Sequence, residues 1–359
     1  MVTMKDIAML VGVSRQAVSS ALNNNDNCRV SEAKRREIKR AARELNYVSN
    51  SAALSLKGAP SKIIGFMGPL GGAGLTSTLT TEISQMLIAK GYNILYNEYN
   101  WSNRGATEAL LNLLARGVDG IIVYCSEEAK IFEVNQTVPY LFFSHNNAAF
   151  MDVGVDNEYG GYLATKHLLE HGHEKAALLI IREYKKQNAK LRGWRRAHRE
   201  AGIRISDEDI IILRELNGSV EKAVAYIKDK KFTAIFAAND FIAAKLIKIL
   251  TQRQIRVPED IAVIGYDGYT FCEFTPSSLT TVIQPLREQA EFGVKLLLER
   301  IKNKELHSPP AGHLLKPVLY RGGSCGCKPK IIKNFYQINT FDMLEEDAKI
   351  NFNIDILNS

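Results

Sequence analysis

Gly12-Val13-Ser14-Arg15-Gln16-Ala17-Val18-Ser19 is the stretch on which the fold turns. Before it, Met4 to Val11 places Ile7, Ala8, Leu10 and Val11 at helical spacing. Thr3 stands at the N-cap, and Asp6, three residues on, takes the place a capping box usually gives to Glu. Gly12 breaks this helix, and Ser14 caps a second one that runs to about Leu22 and turns Ala17, Val18, Ala21 and Leu22 inward. Two helices joined by a short Gly-containing turn make a helix-turn-helix, whose second helix enters the DNA major groove. Arg15, Gln16 and Ser19 fall on the outward, N-terminal part of that helix, where side chains meet base edges. A third helix is expected over Ser31 to Leu45, packing with Ile38, Ala41, Ala42 and Leu45. An ordinary three-helix bundle fits the same pattern, so the decision rests on what surrounds it.

Charge supplies one part of that decision. The chain has 46 Lys and Arg against 39 Asp and Glu, a net charge of +7. Residues 1–60 hold ten basic and five acidic side chains, a net of +5, which leaves +2 for the other 299 residues. An excess confined to the helical head is the electrostatic footprint of a phosphate-facing surface. Lys34-Arg35-Arg36 fits a solvated helix face equally well in isolation, but beside a helix-turn-helix phosphate contact is the better reading.

The run Lys5-Asp6-Ile7-Ala8, Gly12-Val13-Ser14, Arg43-Glu44-Leu45-Asn46-Tyr47 and Asn50 to Leu56 resembles the lactose-repressor/galactose-repressor (LacI/GalR) family, nearly collinearly. The resemblance implies a hinge helix over the last stretch, whose Leu, matching Leu56, wedges into the minor groove. The DNA-facing set is then Thr3, Ser14, Arg15, Gln16, Ser19, Ser20, Arg29, Lys34, Asn50, Ala53, Leu56 and Lys57. Two departures bear on which operator is read: Ser20 and Leu54 stand where Arg is common, and the loop from Asn23 to Arg29 is about two residues longer than in many members. Asn50 to Lys57 is eight residues, shorter than the roughly 12–15 an isolated helix needs in water. It is therefore expected to fold only when two copies pair over DNA.

After the linker Gly58-Ala59-Pro60-Ser61 the periodicity changes to strands alternating with helices. Strands are expected at 62–67, 92–97, 118–124, 138–144, 175–181, 210–213, 232–237 and 261–266. Helices are expected at 77–90, 104–116, 159–171, 189–201, 219–228, 240–254 and 286–301. Short β-branched strands between amphipathic helices imply parallel sheets covered on both faces. Two such sets imply two lobes and a cleft lined by loops after the strands. The family resemblance runs to about residue 328, through Val153 to Gly161, Ala237 to Asp240, Arg256 to Asp267 and Ser278 to Val282. It implies a periplasmic-binding-protein-like effector domain, homodimers, and chain crossings between lobes near Asp156, Ile283 and Leu319. The domains are 1–48 for DNA binding, 49–61 for hinge and linker, 62–328 for effector binding and dimerisation, and 329–359 as an extension. In that extension residues 350–356 alternate like an edge strand, and no Leu heptads announce a coiled coil.

Asn239, Asp240 and Asp267 follow strands and are expected to reach the cleft. Helix capping competes for Asn239 and Asp240. The resemblance implies that Asn239 and Asp267 help hold the effector. Lys190, with Arg192 nearby, stands where the family often has an effector-contacting Arg, and Lys offers a point donor rather than a planar fork. Trp194, Tyr269 or Phe271 offers an apolar platform, and Leu70, on the loop after the first strand, and Tyr124, at the end of the third, complete the expected effector set. Ser144-His145-Asn146 and the Gly-rich loop from Gly68 to Ser77 depart from the family and point to an unusual effector.

Gly72-Ala73-Gly74-Leu75-Thr76-Ser77, with Glu98 ending the next strand, imitates a dinucleotide fingerprint, but Ser77 replaces its third Gly. No nucleophile elbow, P-loop or paired carboxylates occur, so no catalytic residue, cofactor or metal is expected. The odd, scattered set Cys28, Cys125, Cys272, Cys325 and Cys327 suits reduced thiols. Cys325-Gly326-Cys327 is too little for a metal site alone. His167, His171 and His173 have metal-like spacing, but Gly172 ends the helix between the last two, which favours a structural role. No stretch of 18 apolar residues and no signal peptide precede or interrupt this pattern, so a cytoplasmic protein is expected. The chain thus reads as a dimeric regulator, a repressor of a pseudo-palindromic operator in double-stranded DNA, answering to a sugar-like or related metabolite. The rival is a cytosolic small-molecule binder, or a nicotinamide-dependent enzyme, whose head serves assembly.

Overall fold

The computed structural model describes residues 2–22, 30–47, 60–68, 74–98, 103–125, 137–144, 151–181, 189–214, 219–306 and 311–328. The chain divides into two compact units, Met1–Ser61 and Lys62–Ser359.

In the first unit, helix α1 (Met4–Val11) opens on a capping box in which the Thr3 N–H and hydroxyl both donate to the Asp6 carboxylate, at 2.7 and 2.8 Å. Gly12 ends it with φ +67°, a left-handed turn that a side chain would strain. The Ala17 N–H donates to Ser14 Oγ at 3.2 Å, so Ser14 caps α2 (Arg15–Leu22). Ser31 caps α3 (Glu32–Glu44) through the Lys34 N–H. Ile7, Ala8, Val11, Val18, Ala21, Ile38, Ala41 and Ala42 form the shared core. Leu10 departs from the expected apolar side. It is 60% exposed, because an eight-residue helix packed on two others buries only the narrow stripe of Ile7, Ala8 and Val11.

The second unit holds two six-stranded sheets. The first contains β1 (Ile63–Met67), β2 (Asn93–Asn97), β3 (Gly120–Cys125), β4 (Tyr140–Ser144), β5 (Val153–Val155) and, much later in the chain, His313–Leu315. The second contains β6 (Ala177–Ile181), β7 (Ile210–Leu213), β8 (Ala234–Ala237), β9 (Ala262–Asp267), β10 (Thr280–Ile283) and a last strand, Val318–Tyr320. Calling His313–Leu315 β11 and Val318–Tyr320 β12, the orders are β11-β5-β4-β3-β1-β2 and β12-β10-β9-β8-β6-β7. All pairs run parallel except β10 with β12.

Each sheet is buried on both faces, as continuous apolar strands require. In the first, α4 (Leu75–Ala89) and α10 (Leu286–Asn303) cover Ile122, Tyr124, Leu141 and Phe143, and α5 (Asn103–Leu114) covers Ile121, Val123 and Phe142. In the second, α8 (Ser219–Asp229) and α9 (Asp240–Gln252) cover one face, and α6 (Asn157–Glu170) and α7 (Ala189–Glu200) cover the other. A buried ion pair locks α10 to the first sheet: Arg300 meets Asp152 at 2.6 and 2.9 Å and also donates to the Tyr140 carbonyl. The chain passes from sheet to sheet after Val155, after Ile283 and between Leu315 and Val318, the last two to three residues before the expected point at Leu319.

Candidate functional site

The residues expected to face DNA that can be placed are exposed or half-buried on the first unit. Arg15 and Gln16 are exposed at the first turn of α2, with Ser14 as its cap, and Ser19 and Ser20 are half-buried one turn on. A capped helix start with exposed Arg and Gln presents donors suited to guanine and adenine edges. The Thr3 hydroxyl is committed to Asp6, and Lys34 pairs with Glu37 at 2.9 Å. Arg29, Asn50, Ala53, Leu56 and Lys57 lie outside the described residues, as does Leu70 of the effector set.

In the second unit the close approach of α6 and α7 brings Lys190 to the end of β9. A Cβ on Gly193 would sit 1.9 Å from the Glu158 carbonyl oxygen, and one on Gly161 2.3 Å from that of Lys190. The Lys190 ammonium lies 3.6 Å from an Asp267 oxygen, donates to the Ala238 carbonyl at 2.7 Å and sits 3.7 Å above the Tyr266 ring. Burial holds the Lys190 pKa below its ordinary value, against the pull of Asp267 and Asp240, and burial raises Asp267 against the pull of Lys190. Asp267 also accepts from Gln284 Nε2 at 2.9 Å and has φ +114°, a conformation costly for a side-chain-bearing residue. That conformation is held in place by its neighbours, Ile283 of β10 and Lys190 of α7.

Asp240 sits behind this pair, fully buried. Its carboxylate accepts from the Gly268 and Tyr269 N–H groups and from the Thr281 hydroxyl, at 2.7, 2.9 and 2.6 Å. Burial, followed by the neighbouring Asp267, pushes its pKa up to about 7. It therefore shapes the turn that carries Asp267 and Tyr269, rather than capping α9. Asn239 is the cap, its amide oxygen accepting from the Ile242 N–H at 2.8 Å.

Tyr269 joins the two sheets' apolar clusters, and its hydroxyl accepts from the Leu75 N–H at 2.9 Å, at the start of α4. Phe241 and Phe271 flank its ring at 4.9 and 5.3 Å, a small aromatic wall that sequence reading placed only in part. Gln284 was missed as a member of this constellation, and Asp240, expected at the cleft, lies behind the pair, because neither spacing nor periodicity tells that β9 and β10 end where α9 begins.

Trp194 is a correction. Its ring is fully buried between α7 and the second sheet and donates to the Ala176 carbonyl at 2.6 Å, so it offers no platform to a ligand. It shares the core-facing side of α7 with Leu191, Ala197 and His198, while Lys190, one turn earlier, sits nearer the strand ends. Arg192 faces α6 and pairs with Glu158 at 2.7 Å. Tyr124 is the last residue but one of β3, its ring in the first sheet's cluster, 3% exposed.

Against known proteins, the description "Bacterial regulatory proteins, lacI family" matches residues 3–50, and "Periplasmic binding protein-like domain" matches residues 165–325. The chain is 32% identical over 316 residues to the HTH-type transcriptional repressor PurR of Aliivibrio fischeri (strain ATCC 700601 / ES114), covering 85% of this chain and 93% of that one. It is 33% identical over 319 residues to PurR of Vibrio vulnificus (strain CMCP6), with the same coverages. Among solved structures it resembles the lac repressor dimer bound to operator and the anti-inducer ONPF, with TM-score 0.78 and 25% identity over 90% of this chain and 99% of that one. It also resembles the CelR–cellobiose complex, with TM-score 0.63 and 26% identity over 90% and 100%. A LacI-family regulator from Enterococcus faecium with bound ribose gives TM-score 0.61 and 27% identity over 73% and 98%.

Proposed function

The chain belongs to the lacI family of bacterial regulatory proteins, and from that premise we propose how this DNA-binding transcriptional regulator divides its work among its residues. As a homodimer it represses from a pseudo-palindromic operator, reading bases through Arg15 and Gln16 and holding phosphates through the basic head. Residues 1–48 bind DNA, 49–61 form the hinge, 62–328 bind effector and dimerise, and the whole acts in the cytoplasm. The effector is a small polar metabolite of the sugar-like class, held between Asp267, Lys190 and the Tyr269 wall. The relatives' cellobiose and ribose complexes support the class, and the paired charges beside an aromatic wall suit hydroxyl groups above an apolar face.

The observation that carries the reading is the exposed Arg15–Gln16 pair at the start of a capped helix within a head of net charge +5. Arg15→Ala should weaken binding to the upstream operator by roughly 1–3 kcal/mol and relax preference at one base position, measured by gel shift on a set of operator variants. Equal weakening on every sequence, with only a smaller salt slope, contradicts base reading and assigns Arg15 to phosphate.

A further inference from the structure

Two motifs that mean little when read apart meet at the far end of the second sheet. His167 and His171 lie one turn apart at the C-terminal end of α6. Cys325-Gly326-Cys327 follows β12, in a turn pinned to the sheet. The Ser324 hydroxyl donates to the Val263 carbonyl at 2.6 Å and accepts from the Thr280 N–H at 2.8 Å, and Gly326 takes φ +89°. Cys327 Sγ lies 3.4 Å from His167 Nε2 and 3.3 Å from His171 Nε2, with Cys325 Sγ 3.3 Å from His167 Nε2. The ligand atoms of His167, His171 and Cys327 all fall within 4.8 Å of one another.

Hydrogen bonding accounts for this convergence only through a shared, three-centre bond at His167. One ring nitrogen offers either one proton or one lone pair, yet two sulfurs approach His167 Nε2 together. A cation among them resolves the conflict. Neighbouring ligand atoms around a tetrahedral zinc are separated by roughly 3.4–3.8 Å, given bonds of about 2.0–2.1 Å to nitrogen and 2.3 Å to sulfur. We propose that His167, His171 and Cys327 bind a zinc-class divalent ion, with Cys325, which lies against His167 but outside that cluster of three, moving in as the fourth ligand.

Two neutral imidazoles and two thiolates around a dication make an uncharged cluster, which suits a half-buried place beside Arg321. Binding sends two thiol protons to water. The Thr280 hydroxyl, 3.0 Å from Cys325 Sγ, is placed to steady that thiolate. The ion ties α6 to a turn 156 to 160 residues away in the chain. It stands apart from Lys190 and Asp267, so it does not depend on the effector assignment.

The test uses the full chain, reduced and desalted, titrated with Co2+ alone in the absence of oxygen. One ion per chain should bind, with a near-ultraviolet thiolate-to-cobalt band and the intense visible absorption of tetrahedral cobalt, both bleached by Zn2+. His171→Gln and Cys327→Ser should each weaken binding at least tenfold, and Cys327→Ser should reduce the thiolate band. Both side chains reach the surface or near it, and metal-free melting temperatures equal to the parent's would show the fold intact. Zn2+ should raise the parent's melting temperature and leave both variants unmoved. A cobalt spectrum without the thiolate band, or variants that titrate like the parent, overturns the site.

Discussion

Asp240 illustrates how much one side chain can settle. A buried carboxyl whose pKa is raised from 3.8 to about 7 by burial and by Asp267 favours the folded state when protonated. The contribution is therefore fully present at low pH, and stability is lost as pH climbs from about 4 to about 7, by at most about 1.4 kcal/mol per pH unit. Asn in its place imitates the protonated acid, since its oxygen can still accept from the Gly268 and Tyr269 N–H groups while its amide donates to Thr281. Urea denaturation at a series of pH values should show the Asp240→Asn protein losing less stability than the parent between pH 4 and 7. Parallel profiles would mean that Asp240 is ionised in the fold throughout that range. Lys190 and Asp267 were nameable from the sequence because the resemblance marks their positions. Capping was open to Asn239 and Asp240 alike in the sequence, and only the meeting of β9 with β10 explains why Asn239 caps while Asp240 turns to Thr281.

At the scale of elements, α6 and α7 approach so closely that backbone touches backbone, and the approach sets where Lys190 stands. Gly193→Ala would drive a methyl group into the Glu158 carbonyl and the Tyr162 N–H, 1.9 and 2.5 Å away. Neither neighbour is a flexible side chain, so the helices must separate, at a cost of roughly 1–3 kcal/mol. The denaturant midpoint should fall accordingly, and an unchanged midpoint would show that the helices slide without cost. Most of the architecture was legible, because strands such as Ile210–Leu213 are unbroken apolar runs and the helices have clear amphipathic stripes. The strands β5, β11 and β12 did not stand out as elements, being only three residues long, and β10, though as long as Ile210–Leu213, opens on Thr280 and Thr281 and so lacks its unbroken apolar run. Nor did the sequence show that His167 faces Cys327, since only the topology brings α6 beside the turn after β12. Leu10, at helical spacing with true core residues, was misplaced for the opposite reason: the period was right and the buried stripe narrower than the pattern.

For the molecule as a regulator, the bond from the Leu75 N–H to the Tyr269 hydroxyl joins the first sheet's helix α4 to the turn carrying Asp267. It is placed to favour one spacing of the lobes, and a hydrogen bond of this kind contributes about 0.5–1.5 kcal/mol. On the proposed reading, Tyr269→Phe should raise the effector concentration for half-response by roughly 2–10-fold while the ring's packing persists. An operator-release titration measures this, and an unshifted curve would remove the bond from the coupling. The three passages between sheets have a consequence for how the chain is made. The first sheet's polypeptide leaves after Val155, and its covering helix α10 begins only at Leu286. At about 5–20 residues per second, a ribosome takes roughly 7–25 s to supply the intervening stretch. Throughout that interval Leu141 and Phe143 lack the helix that packs on them, and β5 lacks its edge partner β11. The lobe that begins first thus finishes almost last, and the nascent protein must carry an open apolar face until translation is nearly done.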